Sequence, residues 1–93
     1  MTNIDNANMV LEKIKKMGIT DTRVETTLNF VLVETMWNRS QCYAEIVLWV
    51  DGKIDVYFQA MEEPIKELND NISVKVEDFL ETLADFHRKT TGQ

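Results

Sequence analysis

Both alternating positions of one long β-favouring region carry large apolar side chains, and this feature constrains the fold most. The region runs from Thr22 to Ala60 and contains three runs of strand-forming residues. Because successive side chains of a strand point to opposite faces, both faces of the resulting sheet are partly apolar. A chain of 93 residues has enough helix left to cover only one face well. The sequence therefore predicts a second sheet face that is available for contact.

Amphipathic helices are predicted on either side of the strand region. The apolar spacing over residues 3–17 predicts the first helix, with Gly18 as its left-handed stop. A second helix is predicted from about Val76 to Thr90, with acidic residues in its first turn and basic residues in its last. Pro64 is expected to open a short helical insertion over residues 65–69.

These elements predict one α+β domain over residues 1–93, with the order α-β-β-β-α. The strands are expected to form a three-stranded antiparallel meander. The short helical insertion precedes the C-terminal helix, and the helices are expected to lie mainly on one face of the sheet.

The loop between the second and third runs sets one register of this meander. A three-residue loop, Val50 to Gly52 with Gly52 at positive φ, pairs Leu48 with Ile54. A two-residue Asp-Gly turn would instead mix the faces of the two strands. The longer loop collects the even-numbered positions on one face, so we predict the bulged form.

The first turn is predicted by the same reasoning. Residues 38–40 are expected to form it, which pairs Leu32 with Ile46 and Phe30 with Leu48. The even-numbered positions then form the core face.

The odd-numbered face becomes the candidate oligomer or partner interface, because large apolar surfaces on a small domain often mark contact sites. Its residues are Val31, Val33, Tyr43, Val47, Trp49 and Tyr57. Three explanations remain open: a homodimer interface, which we prefer, a site for a different protein, or a face covered by residues 61–71.

The charge balance excludes one class of partner. The chain has a net charge of −6, which disfavours direct binding to nucleic acid, since such binding needs lysines and arginines. Much of the negative charge falls after Val50 and forms a candidate acidic surface. Its residues are Glu62, Glu63, Glu67, Asp70, Glu77, Asp78, Glu81 and Asp85. This surface is either presented to a cationic partner or is the solvated face of an amphipathic helix.

No catalytic, cofactor or metal motif accompanies these surfaces. His87 is the single histidine and Cys42 the single cysteine, and two such residues do not supply the three or four ligands of a zinc site. Cys42 is expected to be a small buried side chain. We therefore expect no enzyme, no cofactor and no membrane span. One cysteine and a polar N-terminus indicate a cytoplasmic protein.

Two resemblances bear on function. The α-β-β-β-α order resembles the double-stranded RNA-binding domain, but Glu77 and Asp78 stand where that family places phosphate-binding lysines. The acidic surface on a small domain also resembles the phage-encoded inhibitors of host restriction or CRISPR nucleases, several of which mimic DNA. That resemblance implies a non-enzymatic anti-restriction or anti-CRISPR inhibitor that binds a host DNA- or RNA-binding protein, such as a nuclease or nucleoid protein. The alternative is a small adaptor or regulatory protein that binds through the apolar sheet face.

Overall fold

The computed structural model describes residues 3–60, 63–68 and 76–91, and it shows an α+β fold. Helix α1 (Asn3–Lys16) precedes the strands and helix α2 (Val76–Thr91) follows them. The strands are β1 (Asp21–Thr26), β2 (Phe30–Trp37), β3 (Cys42–Trp49), β4 (Ile54–Ala60) and β5 (Glu63–Leu68). They pair antiparallel in chain order, β1-β2-β3-β4-β5. The predicted α+β class and antiparallel meander are confirmed, and the predicted number of strands is too small.

The first predicted run is two strands rather than one. Thr27 separates β1 from β2, and its hydroxyl oxygen accepts hydrogen bonds from the backbone N–H groups of Asn29 and Phe30, both at 3.1 Å. In a turn, a threonine hydroxyl can accept hydrogen bonds from backbone N–H groups that would otherwise bond to a neighbouring strand. Leu28, the apolar residue that suggested a continuous strand, is almost fully exposed in this turn.

The predicted helical insertion is wrong for residues 65–68, because β5 occupies this part of the chain. Asn69 lies outside the described residues. β5 lies at the edge of the sheet, where a proline is tolerated because it need not donate to a neighbouring strand. Its register shifts between Phe58 and Gln59, and Pro64 stands opposite Gln59.

Both long helices occur where the apolar spacing predicts them. The buried residues of α1 are Ala7, Val10 and Ile14, and those of α2 are Val76, Phe79, Leu83 and Phe86. Gly18 follows α1 at a φ of 88°, a left-handed conformation that favours glycine after a helix. In the described ranges, neither helix combines the length and apolar character needed to cross a membrane.

The loop between β3 and β4 has the predicted bulged form. The N–H of Trp49 donates to the carbonyl of Lys53, and the N–H of Gly52 donates to the carbonyl of Trp49. Gly52 has a φ of 95°, and Leu48 pairs with Ile54. The even-numbered positions of β3 and β4 therefore share the core face.

The predicted register between β2 and β3 is wrong by one residue. Val33, not Leu32, pairs with Ile46, and Val31, not Phe30, pairs with Leu48. Val31 and Val33 are consequently buried in the core, at 5% and 1% exposure, and do not lie on the predicted interface.

The register differs because the first turn is longer than predicted. Residues 38–41 connect the pair Trp37 and Cys42, and Asn38, Arg39 and Ser40 all have positive φ. The amide of Asn38 donates to the carbonyl of Thr90 at 2.9 Å, which holds this uncommon backbone against the end of α2.

The core lies between one sheet face and the two helices. Phe58 of β4 stacks on Phe79 of α2, with ring centroids 5.5 Å apart. Trp37 meets Phe86 edge to face at 5.2 Å, and its indole N–H donates to the hydroxyl of Thr90 at 2.7 Å. The buried residues of α1 belong to the same hydrophobic cluster as these rings, so both helices lie on the same side of the sheet, as predicted.

Candidate interaction surface

The sheet face opposite the two helices is the candidate site, and we call it the open face. Its residues on β2, β3 and β4 are Phe30, Leu32, Glu34, Met36, Tyr43, Glu45, Val47, Trp49, Asp55, Tyr57 and Gln59. All eleven are half-buried, while their neighbours along each strand point into the core. Cross-strand pairing with β2 adds Asp21, Arg23 and Glu25 of β1 to the same face. No helix in the described part of the chain packs on it.

Hydrogen bonds hold the aromatic side chains of the open face in place. The hydroxyl of Tyr43 donates to Oε2 of Glu34 at 2.7 Å. The indole N–H of Trp49 donates to Oδ2 of Asp55 at 2.8 Å. These bonds satisfy the polar atoms of the rings and leave their apolar surfaces for contact.

Ring contacts order the same side chains further. Phe30 and Trp49 meet edge to face with centroids 5.1 Å apart, and Tyr43 lies 6.2 Å from Tyr57. Large rings that are already positioned lose little freedom when a partner binds, which is one reason why tryptophan and tyrosine are common at binding hot spots.

The carboxylates of the open face lie close enough to repel one another. Glu45 stands directly opposite Glu34 on β2 and near Asp55 on β4. Partial burial, followed by these two charges, raises the pKa of Glu45. Partial burial and the hydrogen bond to Glu34 also raise the pKa of Tyr43. A cation placed over this group of side chains would relieve the repulsion.

The charge of the open face is strongly negative. On β1 to β4 it carries five carboxylates, Asp21, Glu25, Glu34, Glu45 and Asp55. The single guanidinium, that of Arg23, lies 3.8 Å from Glu34, which leaves a net charge of −4 on these strands. The face is therefore both aromatic and acidic.

The structure brings four of the six predicted interface residues together on the open face. These are Tyr43, Val47, Trp49 and Tyr57. Phe30, Leu32 and Met36 also lie there, and sequence reasoning missed them through the register error. Glu34 could have indicated the correct register from the sequence. The predicted register would have buried its carboxylate, and burying a carboxylate without a partner is costly.

The predicted acidic surface is only partly described. Glu62 and Asp70 lie outside the described residues, and Glu63 and Glu67 belong to β5. Glu77, Asp78, Glu81 and Asp85 are all exposed on α2. Asp85 forms an ion pair with Arg88, and Lys89 follows in the same turn, so the described acidic row is diluted at its C-terminal end.

His87 and Cys42 have structural surroundings. His87 contacts the ring of Trp37, with centroids 5.6 Å apart, and it lines a shallow groove with Met17 and Glu81. Cys42 is buried on the core face, where the amide of Asn38 lies 3.7 Å from its sulfur. Within residues 3–60, 63–68 and 76–91, no group of three or more histidines, cysteines or carboxylates is arranged to hold a metal ion.

Comparison of the chain with protein-family models, with curated proteins and with solved structures gave no match.

Proposed function

We propose that this protein acts by binding another protein, without catalysing a reaction, and that its partner presents a cationic surface with apolar side chains. The basic nucleic-acid cleft of a DNA- or RNA-binding protein has this character. Occupying that cleft would inhibit the partner in competition with nucleic acid. The setting would be the cytoplasm, and such inhibition is the mode of action of the phage inhibitors that the chain resembles.

The observation that carries this proposal is the combination of ordered aromatic rings with a net charge of −4 on strands β1 to β4 of the open face. Trp49 and Tyr57 supply large contact area, and Glu34, Glu45 and Asp55 supply acceptors for lysine or arginine. Arginine can stack on an aromatic ring and bond to a carboxylate at the same time. Negative charge also speeds the encounter with a positive surface.

Charge argues against the same face as a homodimer interface. Two copies joined face to face would bring Glu34, Glu45 and Asp55 of one protomer toward those of the other. Like charges brought together across an interface weaken the association by several kcal/mol. A cationic partner reverses the sign of this interaction.

The acidic row on α2 supports a second candidate site for the same kind of partner. Glu77, Glu81 and Asp85 recur every four residues, so their spacing along α2 is about 6 Å, which is close to that of successive phosphates. All three are exposed. In this alternative α2 mimics DNA, and the apolar open face serves a separate adaptor or regulatory contact.

Matched charge reversals separate the two sites. Glu45→Arg changes the centre of the open face, and Glu81→Arg makes the same change on α2, on the opposite side of the sheet. Wild type and both variants are immobilised and exposed to a cell lysate, with and without competing duplex DNA. The proteins that each one retains are identified by mass spectrometry. We expect wild type and Glu81→Arg to retain a nucleic-acid-binding protein, and duplex DNA to displace it. We expect Glu45→Arg not to retain this protein.

The opposite pattern would assign the site to α2. Trp49→Ala provides the second variant, because it removes a ring without changing the charge and is expected to weaken the same complex. Retention of every partner by Glu45→Arg, Trp49→Ala and Glu81→Arg alike would contradict the proposal. Circular dichroism of each variant checks that the fold is intact.

A further inference from the structure

Strand β1 leaves one side of its backbone without a neighbouring strand in the described sheet. It stands at one end of the strand order and pairs with β2 alone among the five strands. Five of its six residues are exposed. Val24, at its middle, is 44% exposed, which is high for a valine next to the core. Such an edge can pair with another strand.

The hydrogen bonds of the adjoining turn show which backbone groups point outward. The N–H of Thr27 donates to the carbonyl of Phe30, and the N–H of Val50 donates to the carbonyl of Asn29, both at 2.9 Å. Because hydrogen-bonded and non-bonded pairs alternate in an antiparallel ladder, the odd-numbered residues of β1 bond to β2. The backbone groups of its even-numbered residues therefore face away from the sheet. These residues are Thr22, Val24 and Thr26.

We infer that β1 is a dimerisation strand that pairs antiparallel with β1 of a second copy, with Val24 opposite Val24 on the two-fold axis. This register places Thr22 opposite Thr26 of the second copy. All the outward-facing backbone groups then meet one another, in about six main-chain hydrogen bonds.

The side chains of β1 are self-complementary in this register. Arg23 of each copy stands opposite Glu25 of the other, so two cross-strand ion pairs form on the open-face side. The two exposed Val24 side chains meet on the helix side. Arg23 lies 3.8 Å from Glu34, but its own side chain is 70% exposed, which leaves the guanidinium able to reach a second carboxylate.

Neighbouring registers lose this match. A shift by two residues in one direction places Arg23 opposite Arg23, and the other direction places Glu25 opposite Glu25. A shift by one residue sets outward-facing backbone groups against groups that already bond to β2, and it mixes the two faces of the sheet. Charge and backbone hydrogen bonding therefore select a single register.

This dimer does not require the function proposed above, because it forms at the edge of the sheet, although Arg23 and Glu25 also belong to the open face. Two open faces would become neighbours in one continuous sheet and would remain exposed. A contact of one six-residue strand per copy buries little area, so we expect a reversible, concentration-dependent dimer.

Paired charge reversals test the dimer by sedimentation velocity. In Glu25→Arg alone, and in Arg23→Glu alone, like charges face each other across the axis. Each variant is therefore expected to raise the dissociation constant by about tenfold or more. In an equimolar mixture of the two variants every cross-strand pair has opposite charges, and dimers are expected to return at wild-type concentrations. Glu12→Arg, on the exposed side of α1, is the control and should dimerise like wild type.

Amide hydrogen exchange locates the contact. We expect the N–H groups of Thr22, Val24 and Thr26 to be protected at concentrations where the dimer forms and to lose protection on dilution. A wild-type protein that remains monomeric up to its solubility limit would overturn the inference. So would a dimer in which these three amides stay unprotected, or a mixture of the two variants that does not reassociate.

Discussion

Glu45 stands at the centre of the open face, directly opposite Glu34 on one side and Tyr57 on the other. Its pKa is raised by partial burial and by the charges of Glu34 and Asp55. The folded protein therefore holds the Glu45 proton more tightly than the unfolded chain does. The stabilisation from protonated Glu45 is complete below its unfolded pKa and is lost as the pH rises through the folded pKa.

Replacing this carboxylate by its neutral isostere should stabilise the fold near pH 7. We expect Glu45→Gln to raise the free energy of unfolding by about 0.5 kcal/mol, because it removes a like-charge pair between neighbouring strands. The gain should vanish as the pH falls toward the ordinary glutamate value of 4.5, where wild-type Glu45 is protonated. Urea unfolding of both proteins from pH 4 to pH 7 measures the difference.

Glu12→Gln, on the exposed side of α1, removes the same charge away from the sheet and serves as the control. A gain from Glu45→Gln that persists unchanged at low pH would show that charge repulsion is not its cause.

At the scale of single elements, β2 decides what the open face contains. Its two sets of alternating side chains are nearly equal in apolar character. The set that faces the helices contains one polar residue, Thr35, which is 1% exposed and donates a hydrogen bond to the carbonyl of Asp21 at 3.3 Å. The other set contains Glu34, which on the open face reaches Tyr43 and Arg23. A threonine is far less costly to bury than a glutamate.

Alanine substitutions at neighbouring positions of β2 test this assignment. We expect Val33→Ala to lower the free energy of unfolding by about 2–3 kcal/mol, since it leaves a cavity in the core. Leu32→Ala, although it removes more atoms, should cost less than about 1 kcal/mol because Leu32 is half-buried on the open face. Chemical denaturation of the two variants gives both values. A larger loss of stability in Leu32→Ala than in Val33→Ala would mean that Leu32, and not Val33, faces the core.

At the scale of the whole molecule, negative charge lies on both sides of the sheet. The open face has a net charge of −4 on β1 to β4, and α2 presents Glu77, Asp78, Glu81 and Asp85 on the other side. The core and the helix layer separate these two surfaces. A single flat partner surface can contact one of them at a time, so the two candidate sites can be distinguished experimentally.

Salt should weaken the proposed complex strongly. A partner held by contacts between its lysines or arginines and the open-face carboxylates loses affinity as ions screen those charges. We expect retention on the immobilised protein to fall by about tenfold or more between low and physiological ionic strength. Retention that does not depend on salt would favour the adaptor alternative, in which apolar contacts of Trp49 and Tyr57 dominate.

Local signals in the sequence were sufficient for much of the fold. Helical spacing and Gly18 located α1, and apolar spacing located α2. The Asp51-Gly52 pair, together with the need to keep one face apolar, predicted the bulged loop between β3 and β4 and its register. These features depend on residues close together in the chain, which is why pattern and backbone preference determine them.

Apolar patterning alone did not decide which face of β2 is buried, because both alternating sets of that strand are largely apolar and differ mainly in Thr35 against Glu34. Long-range contacts accompany the observed first turn: Trp37 and Asn38 both bond to Thr90 at the end of α2. The observed register buries Val31 and Val33 and places Phe30, Leu32, Glu34 and Met36 on the open face. The sequence by itself determined that a second apolar face would exist, and the register of β2 on β3 in the folded protein determined which residues form it.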